Sequence, residues 1–262
     1  MSGTSNPKPC DLCSTRPGSK FTEDITMAFQ PIFDTTTGRV YAQEALVRGA
    51  DGRGAGQIFE HVTDANRYHF DQTCRTTAIR VATELGIDSP ISINFMPNAV
   101  YEPKNCIKQT LRAAERYDFD IRRIIFEFTE AENVMDSSHL ISIIGTYREL
   151  GFRTAIDDFG AGYSGLNLLA DIVPDIIKLD RHLIIDIDRD RTRQILVRNL
   201  IKMCGDLGVV PIAEGIETAA ELETLQSLGL RLIQGYYLAK PLFADFTTEP
   251  LNPIRPGTSD AA

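Results

Sequence analysis

Two adjacent carboxylates end an apolar run in the middle of the chain. Asp157 and Asp158 follow Thr-Ala-Ile at 154–156, and a glycine-rich loop comes after them. Adjacent acids repel each other and are costly to bury unless a cation neutralises them. Because neighbouring side chains on a strand point to opposite faces, both acids can share one cation only where the strand is ending. The pair therefore predicts a site for a hard divalent cation, with an Asx turn that caps the next helix as the alternative.

Polar residues also end the other predicted strands in this part of the chain. With Asp157 they form the set Asn94, Glu127, Asp157, Lys178, Glu214 and Gln234. Helix N-caps are preferably Ser, Thr, Asp or Asn, so capping does not explain the glutamates, the lysine or the glutamine. In a barrel of parallel strands, all the carboxyl ends converge on the face that carries the active site. The pattern therefore predicts carboxylates, amides and a lysine around one cavity.

This set of side chains favours magnesium or manganese chemistry. Oxygen ligands without clustered His or Cys select Mg²⁺ or Mn²⁺ over zinc. Two such ions about 4 Å apart are a standard arrangement for phosphodiester hydrolysis. In such a site Lys178 can hold the attacking water or the developing negative charge, and Glu214 can act as a base or as a metal ligand.

A Schiff-base aldolase built on Lys178 is an alternative from another class of enzyme. A lysine nucleophile needs an apolar or cationic neighbourhood that lowers its pKa. The carboxylates expected around Lys178 would raise that pKa instead. The residues therefore favour the metal-dependent phosphodiesterase over the aldolase.

Alternating strands and helices must position these residues. Strand-like runs at 25–33 and 40–47 predict a hairpin, and Glu44 lies inside the second run at a position that should be apolar if structural. Two helices are expected within 57–86, with a break near Tyr68 to Phe70. Further strands are predicted at 90–94, 123–127, 152–157, 175–178, 209–214 and 231–234, and helices at about 98–117, 138–150, 188–207 and 218–228. The alternation predicts parallel βα units closed into a divergent TIM-type (β/α)8 barrel with an irregular N-terminal β-hairpin start.

Length and composition limit the remaining possibilities. The 262 residues fit one barrel at 21–247, with flexible tails predicted at 1–20 and 248–262. No apolar run approaches the ~18 residues of a membrane span, and the first residues lack the apolar core of a signal peptide. We therefore expect a cytoplasmic protein without membrane insertion.

Net charge and cysteine content bear on the partners and on the cellular compartment. The net charge of −9 argues against binding to duplex nucleic acid. Five cysteines in an odd, scattered set fit a reducing compartment. Cys10 and Cys13 form a C-x-x-C pair, but no second pair or nearby His pair completes a zinc site.

The motifs in their order resemble the EAL-domain cyclic-di-GMP phosphodiesterases. The name-giving tripeptide stands here as Glu44-Ala45-Leu46, continued by Val47-Arg48. The other matching motifs are Phe29-Gln30-Pro31-Ile32, Ile93-Asn94-Phe95-Met96-Pro97, Glu127-Phe128-Thr129-Glu130, Asp157-Asp158-Phe159-Gly160, Lys178-Leu179-Asp180, Glu214-Gly215-Ile216-Glu217 and Gln234-Gly235-Tyr236. The resemblance spans about residues 21–245. One departure is Gly165, which stands where the family often has a second Ser after Tyr163-Ser164.

The resemblance implies a role for each matching position. The ligands of a first metal ion would be Glu44, Asn94, Glu127 and Asp157. Asp157 would bridge to a second ion held with Asp158, near Glu214. Lys178 would hold the nucleophilic water, and Glu214 would be the general base. The substrate contacts would be Gln30, Leu46 and Arg48, with Glu130 as the anchor of the glycine loop and Glu217 and Gln234 as supports of the metal ligands.

The implied activity is hydrolysis of cyclic di-GMP to linear pGpG with two divalent cations, Mg²⁺ or Mn²⁺. A catalytically silent cyclic-di-GMP receptor that signals to a partner protein is the alternative, although no ligand position is missing. The resemblance also implies a homodimer. Because no sensory module is recognisable in the sequence, we expect control by expression, oligomerisation, the tails or a regulatory protein in trans.

Overall fold

The structure is a computed structural model that describes residues 18–100, 102–129, 137–162, 165–252 and 254. The predicted tails lie largely outside these ranges, as do Cys10, Cys13 and the predicted loop anchor Glu130. The boundaries of the tails and the roles of these three residues therefore stay predictions.

The described strands form one sheet that closes on itself. The strands are β1 (Ile25–Asp34), β2 (Arg39–Gly49), β3 (Ile91–Asn94), β4 (Ile124–Thr129), β5 (Arg153–Phe159), β6 (Ile176–Leu179), β7 (Val210–Ala213), β8 (Leu232–Ile233) and β9 (Leu242–Phe243). Strands β2 to β8 are neighbours in chain order and run parallel. β1 pairs antiparallel with both β2 and β8 and so closes an eight-stranded barrel, while β9 pairs with another part of β1. The predicted barrel with a hairpin start is confirmed.

Helices follow most of the parallel strands. They are α1 (Ala55–Phe59), α2 (Arg67–Glu84), α3 (Pro103–Cys106), α4 (Lys108–Arg116), α5 (Ser137–Glu149), α6 (Gly165–Asp171), α7 (Arg181–Ile184), α8 (Arg191–Leu207) and α9 (Ala219–Ser227), with 3₁₀ turns at Pro97–Ala99 and Ile121–Arg123. In the part of the chain that the structure describes, no helix is long and apolar enough to cross a membrane.

Two helix boundaries differ from the sequence predictions. The first break falls at 60–66 rather than near Tyr68, because Asn66 accepts a hydrogen bond from the Thr63 amide and donates one to the His61 carbonyl. The single helix expected at 98–117 is divided into a 3₁₀ turn, α3 and α4. Pro103 accounts for part of this division, since proline fits the first turn of a helix but breaks its interior.

A layer of buried apolar side chains lies two residues from the predicted site on seven of the eight barrel strands, all except β3. It consists of Ile32, Ala42, Ile125, Ala155, Ile176, Ile212 and Leu232. Because strand residues i and i+2 face the same side, this layer places the next inward residues directly above it. Those residues are Gln30, Glu44, Glu127, Asp157, Lys178, Glu214 and Gln234. In β1 the polar residue precedes the apolar one, since β1 runs in the opposite direction. The barrel thus has an apolar floor with a polar layer on it.

Candidate metal centre

Lys178 stands at the centre of the polar layer. Its side chain is 1% exposed, and its ammonium group contacts carboxylates from four strands or strand ends. The Nζ atom lies 2.5 Å from Glu214 Oε1, 3.0 Å from Glu127 Oε2, 3.0 Å from Asp157 Oδ1 and 3.4 Å from Glu44 Oε2. The structure therefore brings together, around the buried Lys178, the three carboxylates predicted at strand ends and Glu44 from within β2.

One ammonium group does not balance this much negative charge. Burial, reinforced by the charges of Glu44 and Asp157, raises the pKa of Glu127 to about 8 although Lys178 opposes the shift. Burial and Asp157 also raise the pKa of Glu214 well above its ordinary value. In both cases the neighbouring carboxylates add to the effect of burial, and bound cations would relieve the repulsion between these carboxylates.

The environment of Lys178 excludes a nucleophilic lysine. Burial alone would lower its pKa, but the contacts with Asp157, Glu127, Glu214 and Glu44 raise it well above the ordinary value. A Schiff base requires a neutral amine, so the aldolase alternative does not fit this geometry.

The carboxylates form two groups with the spacing of metal ligands. Glu44, Glu127 and Asp157 each offer an oxygen within 4.8 Å of the others, and so do Asp157, Asp158 and Glu214. Asp157 belongs to both groups, and the described partner of its buried Oδ1 atom is the Lys178 ammonium group, at 3.0 Å. Oxygen donors that share one carboxylate fit a pair of hard divalent ions.

A distortion of β5 lets the adjacent acids converge. Asp158 adopts a φ of +52°, and the pairing of β5 with β6 shifts register between Ile156 and Phe159. We expected convergence only where the strand is ending, and both acids lie in the last three residues of β5, where its pairing with β6 is irregular. This bulge turns Asp158 to the side of Asp157. Burial and the charge of Asp157 raise the pKa of Asp158 to about 6.

Amide side chains hold Glu44 in place. Its Oε1 atom accepts a hydrogen bond from Asn94 Nδ2 at 3.1 Å, and its Oε2 atom accepts one from Gln234 Nε2 at 2.7 Å. Gln30 faces Glu44 across the β1–β2 pair and accepts from Gln234 Nε2 at 3.2 Å. Although burial acts to raise the pKa of Glu44, the charge of Lys178 and the two amides lower it overall. Glu44 is therefore oriented and ionised, as a metal ligand must be.

A cavity of about 610 Å³ opens beside this cluster. Glu44, Asn94 and Asp157 line one part of it, and apolar side chains that include Leu46 line much of the rest. Arg48 follows on the same strand, is partly exposed, and donates through Nη1 to the Val47 carbonyl at 2.8 Å. A pocket with an anionic end and an apolar body suits an organic ligand that carries phosphate, provided that cations lie between the phosphate and the acids.

Glu217 lies apart from the described cluster. Its Oε2 atom is 2.7 Å from Arg181 Nη2, and the side chain is about half exposed. Its predicted support of the metal ligands therefore stays a prediction, and its observed partner is Arg181, a cation on α7.

Sequence reasoning missed Asp71 on α2, which borders the cavity beside the carboxylate cluster. Its only signal was an acid four residues before Arg75, a spacing that usually marks a surface pair.

A comparison with protein families agrees with this geometry. The model of the EAL domain matches residues 21–241. The chain belongs to the EAL-domain family. The resemblance predicted from the motifs is thereby confirmed.

Known EAL proteins share both fold and sequence with this chain. A standalone EAL protein from Vibrio cholerae in a c-di-GMP-bound form is 50% identical, with a TM-score of 0.85 over 88% of this chain and 97% of that one. Klebsiella pneumoniae BlrP1 in a manganese and cyclic-di-GMP complex is 32% identical, with a TM-score of 0.81 over 85% of this chain and 57% of that one. The cyclic di-GMP phosphodiesterase PA2567 from Pseudomonas aeruginosa is 30% identical over 85% of this chain and 39% of its own length. The chain thus spans only part of its curated EAL relatives.

Proposed function

We propose that this chain hydrolyses one phosphodiester bond of cyclic di-GMP to give linear pGpG, using two divalent cations, Mg²⁺ or Mn²⁺. The observation that carries the proposal is the pair of carboxylate groups that share Asp157 around the buried Lys178. The first ion would be held by Glu44, Asn94, Glu127 and Asp157, and the second by Asp157, Asp158 and Glu214. When bound, the ions supply an activated water and neutralise charge on the reacting phosphate.

The residues of the chain have separate tasks in this reaction. Lys178 is buried among four carboxylates that raise its pKa against the effect of burial, so its ammonium group would hold the attacking water and stabilise the developing negative charge. Glu214 Oε1 lies 2.5 Å from Lys178 Nζ, within the reach that a general base requires. Its position next to the lysine places the proton acceptor beside the water that Lys178 would hold.

The cavity supports a dinucleotide substrate. Its volume of about 610 Å³ lies in the range of roughly 300–1,000 Å³ that ligand pockets occupy. Arg48 uses one guanidinium nitrogen for the Val47 carbonyl and has further N–H donors for a phosphate oxygen. Leu46 would contact the substrate in the cavity, and Gln30 would do so from β1. The ligands named for the Vibrio and Klebsiella structures and the activity named for the Pseudomonas relative support this choice.

Assembly follows from the resemblance, whereas control and location follow from the sequence features described above. We infer a homodimer, regulation by a protein in trans and a cytoplasmic location, each of which stays a prediction. Sedimentation at micromolar concentration tests the dimer, since a single species with the mass of one chain would contradict it.

The direct test of the activity is chromatographic. Purified chain is incubated with cyclic di-GMP and Mg²⁺ or Mn²⁺, with EDTA in a parallel sample and Asp157→Asn as the inactive control. We expect pGpG to accumulate only with wild-type chain and metal. If cyclic di-GMP binds but stays intact, the receptor alternative would replace the proposed enzyme activity. If cyclic di-GMP does not bind, the proposal that it is the ligand would be wrong.

A further inference from the structure

A buried ionic network lies outside the carboxylate cluster. On α2, Arg75 is 0% exposed and its Nη2 atom lies 2.7 Å from Oδ2 of Asp71, one helical turn earlier. Arg75 Nη1 donates to the hydroxyl group of Tyr147 on α5 at 2.7 Å, and Tyr147 is also fully buried. Replacing such a buried ion pair with well-packed apolar residues often leaves stability unchanged or raises it. A contribution to the stability of the fold therefore does not explain well why this network is present.

The network reaches the segment that follows Asn94. The second oxygen of Asp71, Oδ1, accepts a hydrogen bond from the Met96 amide at 3.0 Å. The amide of Phe95 donates to the Glu127 carbonyl at 2.9 Å, and Pro97 has no amide hydrogen to donate. The Met96 amide is therefore the backbone donor that ties the residue before Pro97 to α2.

Arg75 also holds the segment that follows Asn94, because its guanidinium group stacks on aromatic side chains. The guanidinium carbon lies 5.2 Å from the centre of the Phe95 ring and 5.1 Å from that of Phe126, on the neighbouring strand. Stacking of a guanidinium on aromatic faces is favourable, more so when the cation is desolvated. Asp71 and Arg75 together hold the two residues that come directly after Asn94.

We propose that Asp71 and Arg75 are positioning residues that hold Asn94 at the metal centre. Asn94 Nδ2 donates to Glu44, which leaves its carbonyl oxygen as the atom available to a cation. The direction of that oxygen depends on the backbone at Asn94, which the Met96 amide and the Phe95 ring hold in register. The proposal rests on the proposed function, because it concerns the same metal ions.

Manganese affinity is the readout that separates positioning from stability. In Asp71→Asn the side chain can still accept the Met96 hydrogen bond, but it loses the ionic contact with Arg75. We expect Mn²⁺ to bind roughly 10-fold more weakly, the lower end of the range for direct partners of metal ligands, because Asp71 reaches Asn94 only through Met96 and Phe95. Calorimetry measures the affinity, and excess Mn²⁺ should restore turnover. The control is Ile79→Val, which alters a fully buried residue on the same face of α2 as Asp71 and Arg75 and should leave the affinity within about twofold.

A double-mutant cycle tests whether Asp71 acts through Asn94. If it does, Asp71→Asn has no further effect on Mn²⁺ affinity in an Asn94→Ala background. Additive effects of the two substitutions would overturn the proposal, and so would equal losses in Asp71→Asn and Ile79→Val. If Asp71→Asn does not fold, Tyr147→Phe removes only the hydroxyl partner of Arg75, and an unchanged affinity in that variant would overturn the proposal. Failure of the wild-type chain to bind Mn²⁺ would instead refute the proposed function.

Discussion

Removing the charge of Lys178 should destabilise the metal-free protein far more than the metal-loaded one. In Lys178→Met, four carboxylates lose the ammonium group that lies 2.5–3.4 Å from them. Breaking a buried ion pair by removing one partner costs about 3–5 kcal/mol. For a chain of this size, 1 kcal/mol corresponds to roughly 2–4 °C in melting temperature, so we expect a drop of roughly 6–20 °C in EDTA.

Divalent cations supply part of the missing charge, so Mn²⁺ should make this drop smaller. Turnover at saturating Mn²⁺ should still fall by about 10²–10³-fold, as it does when one donor that stabilises developing charge is removed. Scanning calorimetry in EDTA and in Mn²⁺ measures the stability, and pGpG formation measures the turnover.

Lys202→Met is the matched control for this experiment. Lys202 is also a lysine beside a carboxylate, 2.6 Å from Asp206, but its side chain is 73% exposed. Exposed pairs of this kind contribute little to stability, so we expect no clear change in melting temperature or turnover. If Lys178→Met and the wild-type protein have the same melting temperature in EDTA, the reasoning that Lys178 is the main compensating charge would be refuted.

Three further substitutions test other parts of the site. Glu44→Ala should weaken Mn²⁺ binding and abolish turnover, because it removes a carboxylate common to the cation cluster and the amide network; a preserved rate would contradict its role as a ligand. Arg48→Ala should raise KM more than it changes Mn²⁺ affinity, and an unchanged KM would argue against a phosphate contact. Gly160→Ala should destabilise the fold by more than about 1 kcal/mol in a denaturant titration, since Gly160 has a φ of +97° and a Cβ there would lie 2.6 Å from Leu183 Cδ1. The control Gly145→Ala, in α5 with open space around it, should instead stabilise by about 0.5–1 kcal/mol, and equal effects of the two changes would refute the argument from backbone strain.

The ends of the strands were predictable because strand alternation and barrel closure are general. An inward apolar residue such as Ile125 or Ile176 predicts that the residue two positions later faces the same side, and here those residues are Glu127 and Lys178. The same rule could not place Asp158. A positive φ at an aspartate depends on the local pairing of β5 with β6, which the sequence does not show.

Other features depend on packing between segments that are distant in sequence. The contact of Glu217 with Arg181 requires the loop after β7 to lie against α7. The burial of Asp71 and Arg75 requires α5 to bring Tyr147 against α2, over 72 residues of sequence separation. An i,i+4 acid–base pair by itself indicates an exposed helix face, so only the assembled fold shows this one to be internal.

The most direct test of the account is a Mn²⁺ titration of the metal-free chain in which bound metal and cyclic-di-GMP turnover are measured in the same samples. The two groups of carboxylates that share Asp157 predict two ions per chain, with pGpG formation appearing as the second ion binds. Turnover that persists in metal-free chain, or two bound ions with no turnover of bound cyclic di-GMP, would contradict the proposed hydrolysis.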